Sequence, residues 1–276
     1  MRLTAFVAVA LFVAAETADD RLDKAQTALE KGRAKEALAL ADEAVGQAPK
    51  SPRARYVRGL AHEMLGKHTE AVADFDKALA LDDKLAEAYD HRGSERFKLG
   101  QVKESLADFD RYLELRPEAK NGHWKRGISL YYVGKFEEGR KQFEGYEKVD
   151  TNDVENAVWH YLCNARAVGV EKARAAMLKI GKDRRVPMME VYALYAGKAK
   201  PDDVLAAARA GEPSKDDLNR RLFYAHLYLG LYYEAEGDKK KAREHITRAA
   251  DDYPIGHYMG DVARVARNAL SESAKK

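Results

Sequence analysis

The chain contains very little cysteine and proline: one cysteine, Cys163, and seven prolines in 276 residues. A single cysteine excludes an internal disulfide. Cys163 lies in the mostly apolar segment 158–163, where we expect a buried, inert thiol rather than a nucleophile. With so few prolines and no Ser/Gly-rich tract, no flexible linker between domains is expected.

The sequence also lacks the short motifs that mark common active sites. There is no GxSxG, HExxH, GxxxxGK[ST] or CxxC segment. Eight histidines are scattered, and the nearest candidates, His62 and His68, stand across a predicted turn and make a poor metal pair. We therefore predict a protein that is not an enzyme and binds no cofactor and no metal. The net charge of only +3 argues against a nucleic-acid partner.

What the sequence does contain is a period of 34 residues. It spaces one set of glycines (Gly32, Gly66, Gly100 and Gly134) and a second set upstream (Gly59, Gly93 and Gly127). Such a period indicates helix–turn–helix units that bury their apolar faces by stacking on their neighbours. The first set would close the turn, and the second would let the paired helix approach closely. An aromatic residue then fills the groove between the helices, as at Phe75, Phe109 and Phe143.

These residues resemble the tetratricopeptide repeat (TPR) family. The match is strongest in 56–66 and 70–78, and it returns in 229–233 followed by Gly237, Ala242, Ile246, Ala249 and Pro254. The resemblance implies an all-α fold: a TPR solenoid of stacked antiparallel helical hairpins in a right-handed superhelix, with a C-terminal capping helix. We assign four TPR units to 16–153, two degenerate helical hairpins to 154–222, and a C-terminal TPR with the capping helix and a short tail to 223–276.

Residues 1–15 form a separate segment. Arg2 is followed by an apolar run of about 13 residues, too short to span a bilayer but suited to a signal peptide. Cleavage before Glu16, or slightly later, is expected. No cysteine follows the run, so the exported protein would be soluble in the periplasm or cell envelope rather than lipid-anchored. The alternatives are an uncleaved anchor, or an apolar helix packed on the first repeat, in which case the protein would be cytoplasmic.

A spacing of 16 residues separates acids from arginines in successive units. It joins Asp42 to Arg58, Asp76 to Arg92, and Asp110 to Arg126. We interpret these as ion pairs that set the stacking of the repeats. The alternative is a row of arginines that binds an anionic ligand, but each arginine comes with its own acid.

The first helices of a TPR array line its concave surface, and the family pattern implies which residues face a partner there: Tyr56, Leu60, Met64, Asp90, Ser94, Phe97, Trp124, Ile128, Tyr131 and Tyr132. The Lys and Asn clamp by which some TPR proteins hold a terminal carboxylate is absent. An aromatic, mildly acidic groove suits a peptide. The alternative for the aromatic residues is packing in the core. Adjacent Tyr131 and Tyr132 cannot point the same way, so at least one is expected there.

The order of apolar and aromatic segments in 150–270 resembles the NlpI-type TPR lipoproteins of bacterial envelopes, apart from the missing lipid-carrying cysteine. The resemblance implies a protein-interaction scaffold or adaptor that can form a homodimer and docks an envelope protease or cell-wall hydrolases. Two rival functions stay open. One is a helical-array hydrolase or other enzyme that uses groove acids such as Asp90. The other is a structural protein that assembles with copies of itself.

Overall fold

The computed structural model describes residues 16–146 and 148–272, so the predicted signal peptide and the end of the tail lie outside the described residues. The described residues divide into two compact units, one ending at Asp83 and the other beginning at Lys84. Both units are built from helices, and the described part of the chain contains no strand. The predicted all-α fold of TPR-like helical hairpins is confirmed.

The first unit consists of two antiparallel hairpins. Their helices are α1 (Ala18–Glu30), α2 (Ala34–Gln47), α3 (Pro52–Met64) and α4 (His68–Leu81). The chain enters α1 through a capping box in which the Asp20 amide donates to Thr17 Oγ1 and the Thr17 amide donates to the Asp20 carboxylate. The core is formed mainly by small side chains, among them Ala25, Ala41 and Ala54, which are fully buried. The helices therefore pack closely with few large residues between them.

The second unit begins with two further hairpins. They comprise α5 (Ala86–Lys98), α6 (Val102–Leu115), α7 (Trp124–Tyr132) and α8 (Phe136–Tyr146), with a short 3₁₀ helix, Pro117–Gly122, before α7. The remaining helices are α9 (Val154–Val168), α10 (Val170–Ala175), α11 (Met188–Tyr195), α12 (Pro201–Arg209), α13 (Lys215–Ala235), α14 (Lys239–Thr247) and α15 (Tyr258–Glu272). A π-helical turn, Arg248–Asp252, extends α14.

The period-34 glycines have the two structural roles that their positions predict. The turn glycines adopt a left-handed backbone, with φ of +70° at Gly66 and +78° at Gly100. The upstream glycines sit where the paired helices touch. A Cβ atom at Gly59 would lie 2.6 Å from the ring of Phe75, and one at Gly127 would lie 2.5 Å from the ring of Phe143. Only glycine allows this approach without displacing the aromatic ring.

The 34-residue pattern is lost between α9 and α13. Helix α9 packs on α8, but its successors α10, α11 and α12 have only six, eight and nine residues. Helix α13 has 21 residues, and Leu222 and Phe223, on either side of the predicted domain boundary, both lie inside it. Helix α13 therefore begins before the predicted boundary, and the division of the chain into repeat units stays a prediction.

Helix α15 closes the second unit by packing against both α14 and α5. Its apolar residues repeat at helical spacing and are buried: Met259, Val262, Ala263, Ala266 and Leu270. They join one continuous core that includes Phe97, Ile128 and Trp159. Within 16–146 and 148–272, no helix combines the length and the apolar character needed to cross a bilayer.

Candidate functional site

The predicted groove residues of the first unit lie along α3. Tyr56 and Leu60 are half-buried, and Met64 is 47% exposed. The Tyr56 ring also packs on Phe75, with the ring centroids 5.9 Å apart. Of the three, Met64 is the side chain most available to a partner, and a binding role for this face stays a prediction.

In the second unit, Asp90 and Ser94 belong to a polar cluster rather than to an open groove. Asp90 lies 2.9 Å from His123 Nε2 and 2.6 Å from Lys125 Nζ, and the same ammonium donates to Ser94 Oγ at 3.0 Å. Burial acts to raise the pKa of Asp90, but the hydrogen bond with His123 and the nearby Lys125 outweigh it and hold that pKa well below its usual range. Asp90 is therefore a stably ionised partner of Lys125, which is unlike the general acid or base that the enzyme alternative needs.

The apolar part of the predicted groove is covered by α15. The ring of Phe97 stacks on Tyr258 at 5.2 Å, and Trp124 meets Tyr258 edge-on at the same distance. Phe97 is fully buried, while Ile128 and Tyr131 are 1% and 3% exposed. This corrects the sequence prediction of an open groove surface: these three residues belong to the core. Tyr132 is half-buried, and burial raises the pKa of its hydroxyl well above the ordinary value.

The 16-residue ion pairs are present within each unit. Arg58 Nη1 lies 2.9 Å from Asp42 Oδ1, and Arg126 Nε lies 2.6 Å from Asp110 Oδ1. Asp76 and Arg92 belong to different units, and their pairing stays a prediction. A second acid, 16 residues after the arginine, was not predicted from the sequence: Arg58 also donates two hydrogen bonds to Asp74, which is 3% exposed.

Arg92 repeats this arrangement one period later. It donates to both carboxylate oxygens of Asp108, which is likewise 3% exposed. In the next repeat, Arg126 donates to Gln142 at the same spacing, at 3.1 Å. The same 16-residue count after each arginine was the signal that could have identified these partners.

A cavity of about 250 Å³ lies among α7, α8, α9 and α13 of the second unit. We call it the Trp159 cavity. Five aromatic side chains line it, together with a polar group: Trp124, Phe143, Tyr146, Trp159 and Tyr224, with Asp153, Glu155, Asn156 and Arg185. Only Trp124 and the neighbouring Ile128 were among the predicted site residues. The other lining residues lie mostly in the region where the repeat pattern is lost.

Arg185 organises the charged side of the cavity. Its guanidinium lies 2.7 Å from Asp153 Oδ1, 2.5 Å from Glu155 Oε2 and 2.5 Å from Asp183 Oδ2. The Tyr228 hydroxyl donates to the other oxygen of Glu155 at 2.5 Å. Three carboxylates thus surround one guanidinium.

The two cavity carboxylates are held in an environment that disfavours their charge. Burial raises the pKa of Glu155 above its ordinary value, and the Arg185 guanidinium and the Tyr228 hydroxyl offset this only in part. Burial likewise raises the pKa of Asp153 despite Arg185. A second cation near these carboxylates would stabilise their ionised forms.

Two polar atoms on residues that line the cavity have no hydrogen-bond partner among the described residues. Asn156 is 4% exposed; its Nδ2 donates to the Phe143 carbonyl at 3.1 Å, but its Oδ1 has no donor. Trp159 is 2% exposed, and its Nε1–H has no acceptor. Buried polar atoms without a partner are costly and uncommon in folded proteins.

The remaining candidate chemistry is weak. Burial raises the pKa of the Cys163 thiol to about 12, which disfavours the reactive thiolate at neutral pH. In the described ranges 16–146 and 148–272, no group of three or more His, Cys, Asp or Glu side chains is arranged to hold a metal ion.

Comparison with known sequences identifies repeats in three segments of the chain. Models of the tetratricopeptide repeat family match residues 22–86, 86–118 and 224–254. No curated protein matches the chain. The first two matched segments run from within α1 to just beyond the end of α6, and the third covers the second half of α13 together with α14.

Solved TPR structures share the fold. A tetratricopeptide repeat protein from Parabacteroides merdae ATCC 43184 superposes with a TM-score of 0.58 at 15% identity, covering 92% of this chain and 98% of that one. YrrB, described as a TPR protein with an unusual peptide-binding site, gives 0.55 at 22% identity, covering 69% and 90%. MamA from Desulfovibrio magneticus RS-1 gives 0.52 at 22% identity, covering 57% and 89%. Three segments of this chain thus match tetratricopeptide repeats, and the chain shares its fold with these solved TPR structures.

Proposed function

We propose that this protein is a non-enzymatic interaction scaffold that binds a protein or peptide partner at the Trp159 cavity. The observation that supports the proposal is the cavity itself, which combines aromatic side chains with a charged side formed by Asp153, Glu155 and Arg185. Aromatic residues in partly desolvated pockets often dominate the energy of protein interfaces. YrrB, a TPR protein of the same fold, is described as having a peptide-binding site.

We further propose that the protein is exported and works in the periplasm or cell envelope, as its resemblance to NlpI-type proteins suggests. Cleavage before Glu16 would leave the Thr17 capping box of α1 intact, whereas cleavage after Ala18 would remove it. The earlier site is therefore the better choice for the stability of the first hairpin. This resemblance indicates an envelope protease or a cell-wall hydrolase as the class of partner. It also indicates that this protein forms a homodimer.

Site-specific photocrosslinking in the native host tests the proposal. A photoreactive amino acid replaces Tyr146, which lines the cavity and is half-buried, and in a control it replaces Lys172, which is exposed on α10. We expect a protein adduct from position 146 that position 172 does not give. The same adduct from both positions, or none from position 146, would contradict binding at the cavity. A third photoreactive residue at Met64 tests the α3 face separately.

Mass spectrometry of the purified protein from the same cells reports the mature N-terminus. A chain that begins at Glu16 supports export with cleavage at the earlier site, and a chain that keeps residues 1–15 argues against a cleaved signal.

Sedimentation over a range of concentrations distinguishes the homodimer from the self-assembling alternative. An open assembly continues to grow with concentration, whereas a closed dimer does not.

An enzyme is the second candidate function, and one observation favours it. Asp153 and Glu155 are carboxylates with raised pKa values at a cavity, and such groups often mark active sites. Against this, both oxygens of Glu155 are already engaged, one by Tyr228 and the other by Arg185. A structural network of ion pairs explains the same shifts, so we favour the scaffold.

A further inference from the structure

We propose that the Trp159 cavity binds one basic side chain, a lysine or an arginine, presented by the partner. This inference rests on the proposed function and makes it more specific, because it names the chemistry that the partner must offer.

The charge around the cavity is not balanced by the described residues of the chain itself. Within that part of the chain, Arg185 is the one cation in contact with Asp153, Glu155 and Asp183. His257 also lines the cavity, but burial and Arg185 lower its pKa, which favours the neutral imidazole. Three carboxylates against one guanidinium leave a formal excess of negative charge. A cationic guest would offset that excess, and an anionic one would add to it.

The aromatic lining suits the same guest. Trp124, Trp159, Tyr146 and Tyr224 contribute ring surface to one small cavity. Ring faces carry partial negative charge and attract ammonium and guanidinium groups, with tryptophan the strongest of them. They also pack well against the aliphatic stem of lysine or arginine.

The size of the cavity argues for one side chain. Its volume of about 250 Å³ falls below the roughly 300–1,000 Å³ of sites that enclose a whole small-molecule ligand. A single long side chain that enters from a partner surface fits this scale better than a nucleotide or another large cofactor.

Titration of the purified full-length protein with short peptides, followed by tryptophan fluorescence and calorimetry, tests the inference. The probes are acetyl-Gly-Lys-Gly-amide and acetyl-Gly-Arg-Gly-amide. Acetyl-Gly-norleucine-Gly-amide serves as a neutral control, and n-butylammonium as a free amine. We expect a cationic peptide to bind saturably and at least about tenfold more tightly than the norleucine peptide does, because hydrogen bonds to charged groups are stronger than those between neutral groups.

Equal binding of the norleucine peptide, or no saturable binding of either cationic peptide, overturns the proposal. Binding of n-butylammonium as tight as that of the peptides would assign the cavity to free amines and also overturn it.

Two variants locate the binding. Glu155→Gln removes one negative charge from the cavity at nearly constant shape and should weaken binding of the cationic peptide about tenfold, whereas Glu212→Gln, at an exposed loop position, should leave binding unchanged. If Glu155→Gln fails to fold, Trp124→Leu gives the second measurement: it keeps the acidic cluster and removes one ring, and a loss of about threefold or more is expected. Unchanged binding in whichever variant folds overturns the proposal.

The two sets of experiments distinguish failure of the basic-side-chain inference from failure of the proposed scaffold function. If position 146 still crosslinks to a partner protein in cells but the peptides show no preference for charge, the scaffold function stands and the basic-side-chain inference fails. If position 146 yields no adduct while the cationic peptides bind, the partner-binding function fails.

Discussion

The phenyl ring of Phe97 stacks on the phenol ring of Tyr258, with the centroids 5.2 Å apart and the planes inclined by 24°. This contact places the first residue of α15 against the inner side of α5. The surface that a TPR pattern reserves for a partner is, in this unit, filled by the chain's own last helix. The second unit therefore has a closed core where an open groove was predicted, and the Trp159 cavity is the opening that we assign to a partner.

The first prediction concerns Tyr258. Replacing it with alanine should reduce the free energy of unfolding by about 2–4 kcal/mol, because the ring packs on both Phe97 and Trp124. Tyr258→Phe is the matched control. The Tyr258 hydroxyl is buried without a partner among the described residues, so its removal should be neutral or slightly stabilising. Denaturant unfolding followed by circular dichroism measures both variants. A large loss in the phenylalanine variant would mean that the hydroxyl has an important partner.

The second prediction concerns the close approach of α7 and α8. Gly127→Ala should cost about 1–3 kcal/mol, because the added Cβ would lie 2.5 Å from Phe143 Cζ. Gly46→Ala is the control: Gly46 is an exposed helical glycine, and a Cβ added there would meet no atom of the described residues within 4 Å, so alanine should keep or slightly raise the helix stability. Thermal unfolding of both variants provides the comparison. Equal melting temperatures for Gly127→Ala and the parent protein would contradict the packing assignment.

A comparison of the Gly127 and Tyr258 contacts shows which parts of the fold could be predicted from the sequence alone. Gly127 and Phe143 lie on adjacent helices of one hairpin, so their contact is local and recurs with the 34-residue period. Tyr258 meets Phe97 across a long stretch of chain in which that period is lost. Its position depends on how α9 to α14 pack, and no repeat encodes this. The Trp159 cavity escaped prediction for the same reason, since Arg185 reaches Asp153 from a loop outside the repeats.

The third prediction concerns the buried acid Asp74. Asp74→Ala should reduce the free energy of unfolding by about 3–5 kcal/mol, because it removes the buried partner that accepts two hydrogen bonds from Arg58. The exposed pair of Glu36 with Arg33 is the control, and Glu36→Ala should change stability by no more than about 1 kcal/mol. Urea unfolding at low and high salt checks both. A cost that is similarly small for the two variants would show that the buried pair has no special role.

The last prediction concerns a histidine pair between α13 and α14. His226 Nδ1 lies 2.9 Å from His245 Nδ1, and His226 is 1% exposed with its ring stacked on Tyr253. Burial, followed by the neighbouring His245, lowers the pKa of His226 to about 4. In the unfolded chain that pKa returns to about 6.5.

The sign of the pH effect follows from these two values. Below about pH 6.5 the unfolded chain binds a proton at position 226 that the folded chain excludes, so stability falls as the pH drops toward about 4. The difference of about 2.5 units corresponds to roughly 3 kcal/mol. His226→Phe keeps a buried aromatic ring that cannot be protonated. Urea unfolding at pH 7 and pH 4.5 should therefore show a smaller acid-induced loss in the variant than in the parent. The acids elsewhere in the chain are common to both proteins, so equal losses would mean that the His226 proton does not contribute.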